Sequence, residues 1–130
     1  MVMYSLIAIA AGATLGAWAR WGLVLWLNPI AGHVPLGTLV ANLVGGYFVG
    51  LSLAWFIAHP TISPEWRLFV ITGLLGGLTT FSTFSAETVL LLGRQQYAYA
   101  FTTMALHLFG SLLMTTLGLM SLRGLRAAIG

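Results

Sequence analysis

The side chains with chemistry to offer in this chain are mostly neutral hydrogen-bond donors. Thr38, Asn42, Thr79, Thr80, Ser82, Thr83, Ser85, Ser111 and Thr115 all fall inside long apolar stretches, and the only acids are Glu65 and Glu87. An amide and hydroxyls can strip water from a small ion without a fixed charge that would trap it, and conduction needs binding that is neither too weak nor too strong. The densest patch is Gly73-Leu-Leu-Gly-Gly-Leu-Thr-Thr-Phe-Ser-Thr-Phe-Ser85. Within it, Phe81 and Phe84 stand three apart, which puts them on nearly one helix face. A phenyl ring is electropositive at its edge, so two rings met edge-on can help coordinate an anion. Two phenylalanines on one face ordinarily pack against core or lipid; here a hydroxyl cluster surrounds them.

Enzymatic chemistry has little to work with. Paired carboxylates would require the loop residue Glu65 to meet Glu87, and His33, His59 and His107 show no metal-ligand spacing. The absence of cysteine removes thiol chemistry and Cys-type metal sites. No nucleophile elbow or phosphate loop occurs. Arg20 and Glu87 are the ionisable groups placed within apolar runs, where a charge costs ~2.5–3.5 kcal/mol on insertion scales and marks function or a partner. Arg20 either snorkels to the nearby loop or faces a vestibule where its charge attracts anions. Glu87, about one turn past the hydroxyl cluster, either hydrogen-bonds into it or pairs with an arginine.

The elements that must position these groups are membrane helices. Of 130 residues, 59% are hydrophobic and 5% charged, and the mean hydropathy is +0.99; a water-soluble domain carries about 25% charged residues. Five arginines without a basic cluster leave no footprint for nucleic acid. A spanning helix takes ~20 apolar residues, and the chain supplies four such runs, at about 3–27, 36–58, 66–92 and 97–122, read as one four-helix membrane domain. Ala17-Trp18-Ala19 resembles a signal-peptide cleavage site, but no positive charge precedes the apolar run, so a retained first span is expected. Asn28-Pro29 and His59-Pro60 stop the first and second spans, and the short connections make consecutive helices antiparallel.

Orientation is weakly specified. Arg67, Arg123 and Arg126 lie on one side, Arg94 and Arg20 towards the other. The positive-inside rule weighs such residues, and it leaves two readings: termini inside, or insertion both ways round. Small residues recur every four positions in the first two spans: Ala8, Gly12 and Gly16; Gly37, Ala41 and Gly45; and Thr38, Asn42, Gly46 and Gly50. Such rows let membrane helices approach closely. Thr103, His107, Ser111 and Thr115 form a polar row in the fourth span, fit either to line a wet path or to join two helices. The Gly73–Ser85 patch is centred near residue 79, at the middle of the third span. Glycine weakens a helix by about 1 kcal/mol relative to alanine, so the glycines are expected to break this helix at mid-membrane, the alternative being a continuous helix with a kink. Freed backbone groups at that depth are tolerated only where protein or a cavity receives them, and such ends can bind cations.

Gly12-Ala-Thr-Leu-Gly-Ala-Trp-Ala-Arg20-Trp, Gly37-Thr-Leu-Val-Ala-Asn42-Leu-Val-Gly-Gly and the Gly73–Glu87 block together resemble the Fluc (CrcB) family of bacterial fluoride channels. The Gly-Gly-x-Thr-Thr-Phe-Ser-Thr-Phe-Ser block is the specific part. Gly12 is followed by Ala13 where that family often has a second glycine, and the fourth span matches only as a generic polar row. The resemblance implies an all-α, four-helix protein of the inner membrane, assembled as an antiparallel, dual-topology homodimer with two pores and no soluble partner. It implies that Asn42 and the edges of Phe81 and Phe84 coordinate fluoride. Thr38, Ser82, Thr83, Ser85, Ser111 and Thr115 would form a polar track, with Thr80 and Glu87 as polar support. Arg20 would sit at a vestibule, and backbone carbonyls of Gly76 and Thr79 from both subunits would hold a structural Na⁺. The implied role is passive export of cytoplasmic fluoride and hence fluoride resistance. The competing reading is a small proton-coupled multidrug-type transporter, a class with a glutamate in its first span; here that span holds no acid, and its only charge is Arg20. A non-conducting assembly subunit is a third class, against which the neutral polar rows argue.

Overall fold

The computed structural model describes the backbone of residues 1–129 and the side chains of residues 1–124, so the side chain of Arg126 lies outside the described residues. Among the described residues four helices are long and apolar enough to cross a membrane: Val2–Ile30, Leu36–Ala58, Pro64–Gly93 and Tyr97–Gly124. The third starts slightly before the expected position because Pro64 occupies its first turn, where proline's missing N–H costs nothing. The first α-helix ends at Leu27. Asn28 then does more than stop it: its Oδ1 accepts a 2.8 Å hydrogen bond from the Gly37 N–H, capping the start of the second span across the loop. Large apolar side chains such as Trp18, Leu25, Phe101 and Leu113 face outward, the arrangement of a protein whose solvent is lipid.

The third span is broken, and the break is local. Helical geometry runs to Leu78 and resumes at Phe81. Between them Thr79 (φ −81°, ψ 153°) and Thr80 (φ −154°, ψ 121°) are extended. The expected cause requires correction: Gly73, Gly76 and Gly77 are all helical, and none has positive φ among the described residues. Two of them serve packing instead. A methyl group on Gly73 would stand 2.8 Å from the Ile9 carbonyl oxygen, and one on Gly77 would stand 2.6 Å from that of Ala13. Their bare backbones let the first span lie directly on the first half of the third.

The second and fourth spans pack in parallel with a constant register. Asn42 meets His107, 65 residues on; at the same offset Gly46 lies against Ser111 and Gly50 against Thr115. Thr38 and Thr103 follow that register and are both fully buried. The two four-residue rows legible in the sequence are therefore the two sides of one seam. The fourth span also contains wide, π-helical turns over Leu106–Gly110, with His107 among them. Gln95 adopts a left-handed φ of 59° in the turn after the third span, where the Gln96 and Gln95 N–H groups bond back to the Leu91 and Leu92 carbonyls, closing that helix end.

Candidate functional site

Breaking a helix leaves amides and carbonyls unsatisfied, and in an apolar surrounding each must find a partner. Asn42 supplies two of them. The Thr80 N–H donates to Asn42 Oδ1 at 2.7 Å, and Asn42 Nδ2 donates back to the Thr80 carbonyl at 3.0 Å. The side-chain amide thus stands in for a neighbouring β-strand, holding Thr80 extended. Thr79 still closes the preceding turn, its N–H and Oγ1 both donating to the Leu75 carbonyl at 3.0 and 2.8 Å. On the other side Thr80 is the N-cap of the second half-helix: its Oγ1 accepts from the Thr83 N–H at 3.1 Å, satisfying one of the orphan amides of that terminus. The same oxygen lies 3.1 Å from Thr83 Oγ1 and 3.2 Å from Ser82 Oγ. The hydroxyl cluster is thus partly spent on restarting the helix.

Restarting at Phe81 aims its first turn at a groove of about 740 Å³ between the second and fourth spans. Asn42 and Gly46 form one wall. Gly76, Thr79 and Thr80 contribute the break, Phe81 and Phe84 the rings, and Met104, His107, Leu108, Ser111, Leu112 and Thr115 the far wall. The Phe81 and Phe84 rings meet edge to face with centroids 5.4 Å apart, and Phe84 stacks on the His107 ring at 4.6 Å. Phe81 is 77% exposed, so the groove is open on the side where that ring projects. Among the described residues no acid and no arginine lines it. It offers neutral donors and ring edges, a lining that can accept a small anion without a countercharge to trap it.

The sequence-derived candidates divide accordingly. Asn42, Gly76, Thr79, Thr80, Phe81, Phe84, Ser111 and Thr115 are brought together in the groove. Thr38 is buried beside it and donates to Glu87 Oε1 at 2.6 Å, joining the second span to the second half of the third. Glu87 Oε2 and Thr103 Oγ1 are buried without a hydrogen-bond partner among the described residues. Ser82 and Thr83 belong to the helix restart, and Ser85 and Arg20 lie outside the groove lining. The residue that sequence reasoning left unassigned is His107, which Asn42 reaches at 3.0 Å. The signal was present in the two rows of four-residue spacing, read together as one seam.

The family model described as CrcB-like protein, Camphor Resistance (CrcB), matches residues 7–119. The chain is 61% identical over 118 residues to a protein of Albidiferax ferrireducens named fluoride-specific ion channel FluC, covering 91% of this chain and 90% of that one. It is 57% identical over 124 residues to the protein of that name in Thiobacillus denitrificans, covering 95% and 100%. Over 125 residues it is 57% identical to its namesake in Nitrosospira multiformis, covering 96% and 98%.

Proposed function

This chain belongs to the CrcB family of fluoride channels, and from that premise we propose that it gives passive, fluoride-selective export from the cytoplasm. It is a multi-pass membrane channel protein and not an enzyme. The observation that carries the reading is the broken helix braced by Asn42, which presents Phe81 and Phe84 to a groove without fixed charge. Fluoride is small and strongly hydrated, so its entry requires donors and ring edges close enough to replace water. The two phenyl edges are the coordinating groups in this reading, set in place by the Asn42 amide, whose two protons go to the Thr80 carbonyl and His107; Ser111 and Thr115 continue the track along the fourth span, and Thr38, Ser82, Thr83 and Ser85 contribute hydroxyls nearby. Thr80 and Glu87 support these groups. Arg20 draws anions to a vestibule.

The channel acts as an antiparallel homodimer with two pores in the inner membrane. Two features support this: the groove is open along the side where Phe81 is exposed, and the arginines are divided nearly evenly between the two ends. A second copy laid against that side would close the groove into a path. A structural Na⁺ at the shared axis fits the donor set. The Thr80 N–H, which in a continuous helix would serve the Gly76 carbonyl, is bonded to Asn42, so that oxygen is left over at the end of the half-helix. Gly76 and Thr79 carbonyls from both copies would hold the ion, neutralising the partial negative charge of two facing helix ends. Physiologically, HF crosses membranes as a neutral acid and ionises inside, so the trapped anion needs a leak. Purified protein in liposomes loaded with fluoride and chloride tests this: fluoride leaves rapidly and chloride stays. Release of both ions or neither would refute it.

A further inference from the structure

The Asn42 amide contacts three groups that leave it only one orientation. A backbone N–H can only donate and a carbonyl can only accept, so the Asn42 oxygen must face the Thr80 N–H at 2.7 Å and its NH₂ must face the Thr80 carbonyl at 3.0 Å. The remaining proton of that NH₂ points to His107 Nδ1 at 3.0 Å. Nδ1 therefore accepts. A proton there would set N–H against N–H, and either Asn42 would release His107 or the amide would rotate and lose its clasp on Thr80.

We propose that His107 is a positioning residue for the pore: held with Nδ1 bare and its proton on Nε2, it fixes the Asn42 amide in the orientation that keeps the third span broken. The surroundings favour one arrangement. His107 is 4% exposed, its ring is stacked on Phe84 at 4.6 Å, and it sits in the π-helical turns of the fourth span, a local widening often found at functional positions. One imidazole thereby touches both the amide that braces the break and a ring of the proposed path, Asn42 on its edge and Phe84 on its face. The role differs from lining the path, because it works through Asn42. Its Nε2 is buried with no partner among the described residues, so the tautomer assigned here carries an unspent donor at that atom.

The tautomer claim stands on hydrogen-bond geometry, and its consequence for flux rests on the fluoride-channel reading. A His33→Gln, His59→Gln double variant leaves His107 as the single histidine, and ¹⁵N-histidine NMR of that protein in bilayers reads the tautomer directly. The expected spectrum has an unprotonated Nδ1 and a protonated Nε2; a proton on Nδ1 overturns the proposal. In the flux assay His107→Phe, which keeps a ring against Phe84 but offers no acceptor, should lower fluoride efflux about tenfold, the scale of one lost buried hydrogen bond. His107→Gln, whose side-chain oxygen can accept from Asn42, should recover most of it. Unchanged efflux in the Phe variant, or equal loss in both, overturns the positioning role. Absence of fluoride efflux from the parent protein would instead sink the channel reading, leaving the NMR result to stand on its own.

Discussion

Gly77 and Gly76 are neighbours in one half-helix, yet they face different regions and have different work. A methyl group on Gly77 would stand 2.6 Å from the Ala13 carbonyl oxygen of the first span. One on Gly76 would meet nothing closer than the Ile71 oxygen of its own helix, at 3.6 Å, and Gly76 lines the groove. On one side the half-helix is sealed by backbone lying on backbone. On the other it is left open beside a polar wall. The difference shows how a helix of such composition can be rigid and interrupted at once. The tight seam with the first span fixes the first half, so the chain can afford two extended residues, provided that Asn42 satisfies the amide and carbonyl of the second one. The glycines do not break the helix; they anchor it beside the break.

That contrast can be broken most severely at the seam. Gly77→Val puts three carbon atoms where one hydrogen fits, and overpacking at a site of backbone contact costs about 3 kcal/mol or more. The expected outcome is loss of the monodisperse folded species on size exclusion in detergent, and a well-folded variant would contradict the seam. Next comes Asn42→Ala, which orphans two buried backbone groups at about 1–3 kcal/mol each. It should lower the thermal midpoint and increase amide exchange at Thr80 while leaving exchange in the first span unchanged; uniform loosening would mean that the break and the seam are not separate regions.

Much of this was legible in the chain. The four apolar runs and the mid-membrane location of the break follow from hydropathy, proline and asparagine punctuation and the Gly73–Ser85 patch, whereas Asn42 was visible only as a lone amide in an apolar span and took its role from the family resemblance. The function of the glycines was not, because a glycine that lowers helix propensity and one that permits close approach look alike until the neighbouring helix is in place. The Thr38–Glu87 and Asn42–His107 contacts span 49 and 65 residues, and they depend on the register between helices, which no local pattern sets. His107 became interpretable only when the two polar rows were seen to face each other.

Smaller effects are expected at Phe81, Gly76 and Gln95. Phe81→Ala removes a ring that is 77% exposed, so folding of the single chain should change by less than about 1 kcal/mol while fluoride efflux falls; equal losses in both would return Phe81 to simple packing. Gly76→Ala should fold as well as the parent protein, with its helix gaining up to about 1 kcal/mol, so any defect should appear in assembly or flux. If it destabilises the fold as much as is expected of Gly77→Val, the two faces are not distinct. Gln95→Gly lies far from both regions, relieves a left-handed residue at φ 59°, and should stabilise the protein by about 1 kcal/mol in thermal denaturation with efflux unchanged.

In the proposed function the Asn42-braced break, through the groove it opens, carries the fluoride path. Its most direct test compares the parent protein with Asn42→Ala at equal protein per liposome, recording fluoride and chloride release from the same vesicles after each variant has been shown to retain its assembly state. Rapid fluoride release with chloride retained is expected for the parent protein, and fluoride release slowed by about a hundredfold for Asn42→Ala, the scale of the two hydrogen bonds lost to Thr80. Equal fluoride release from the two proteins would contradict it.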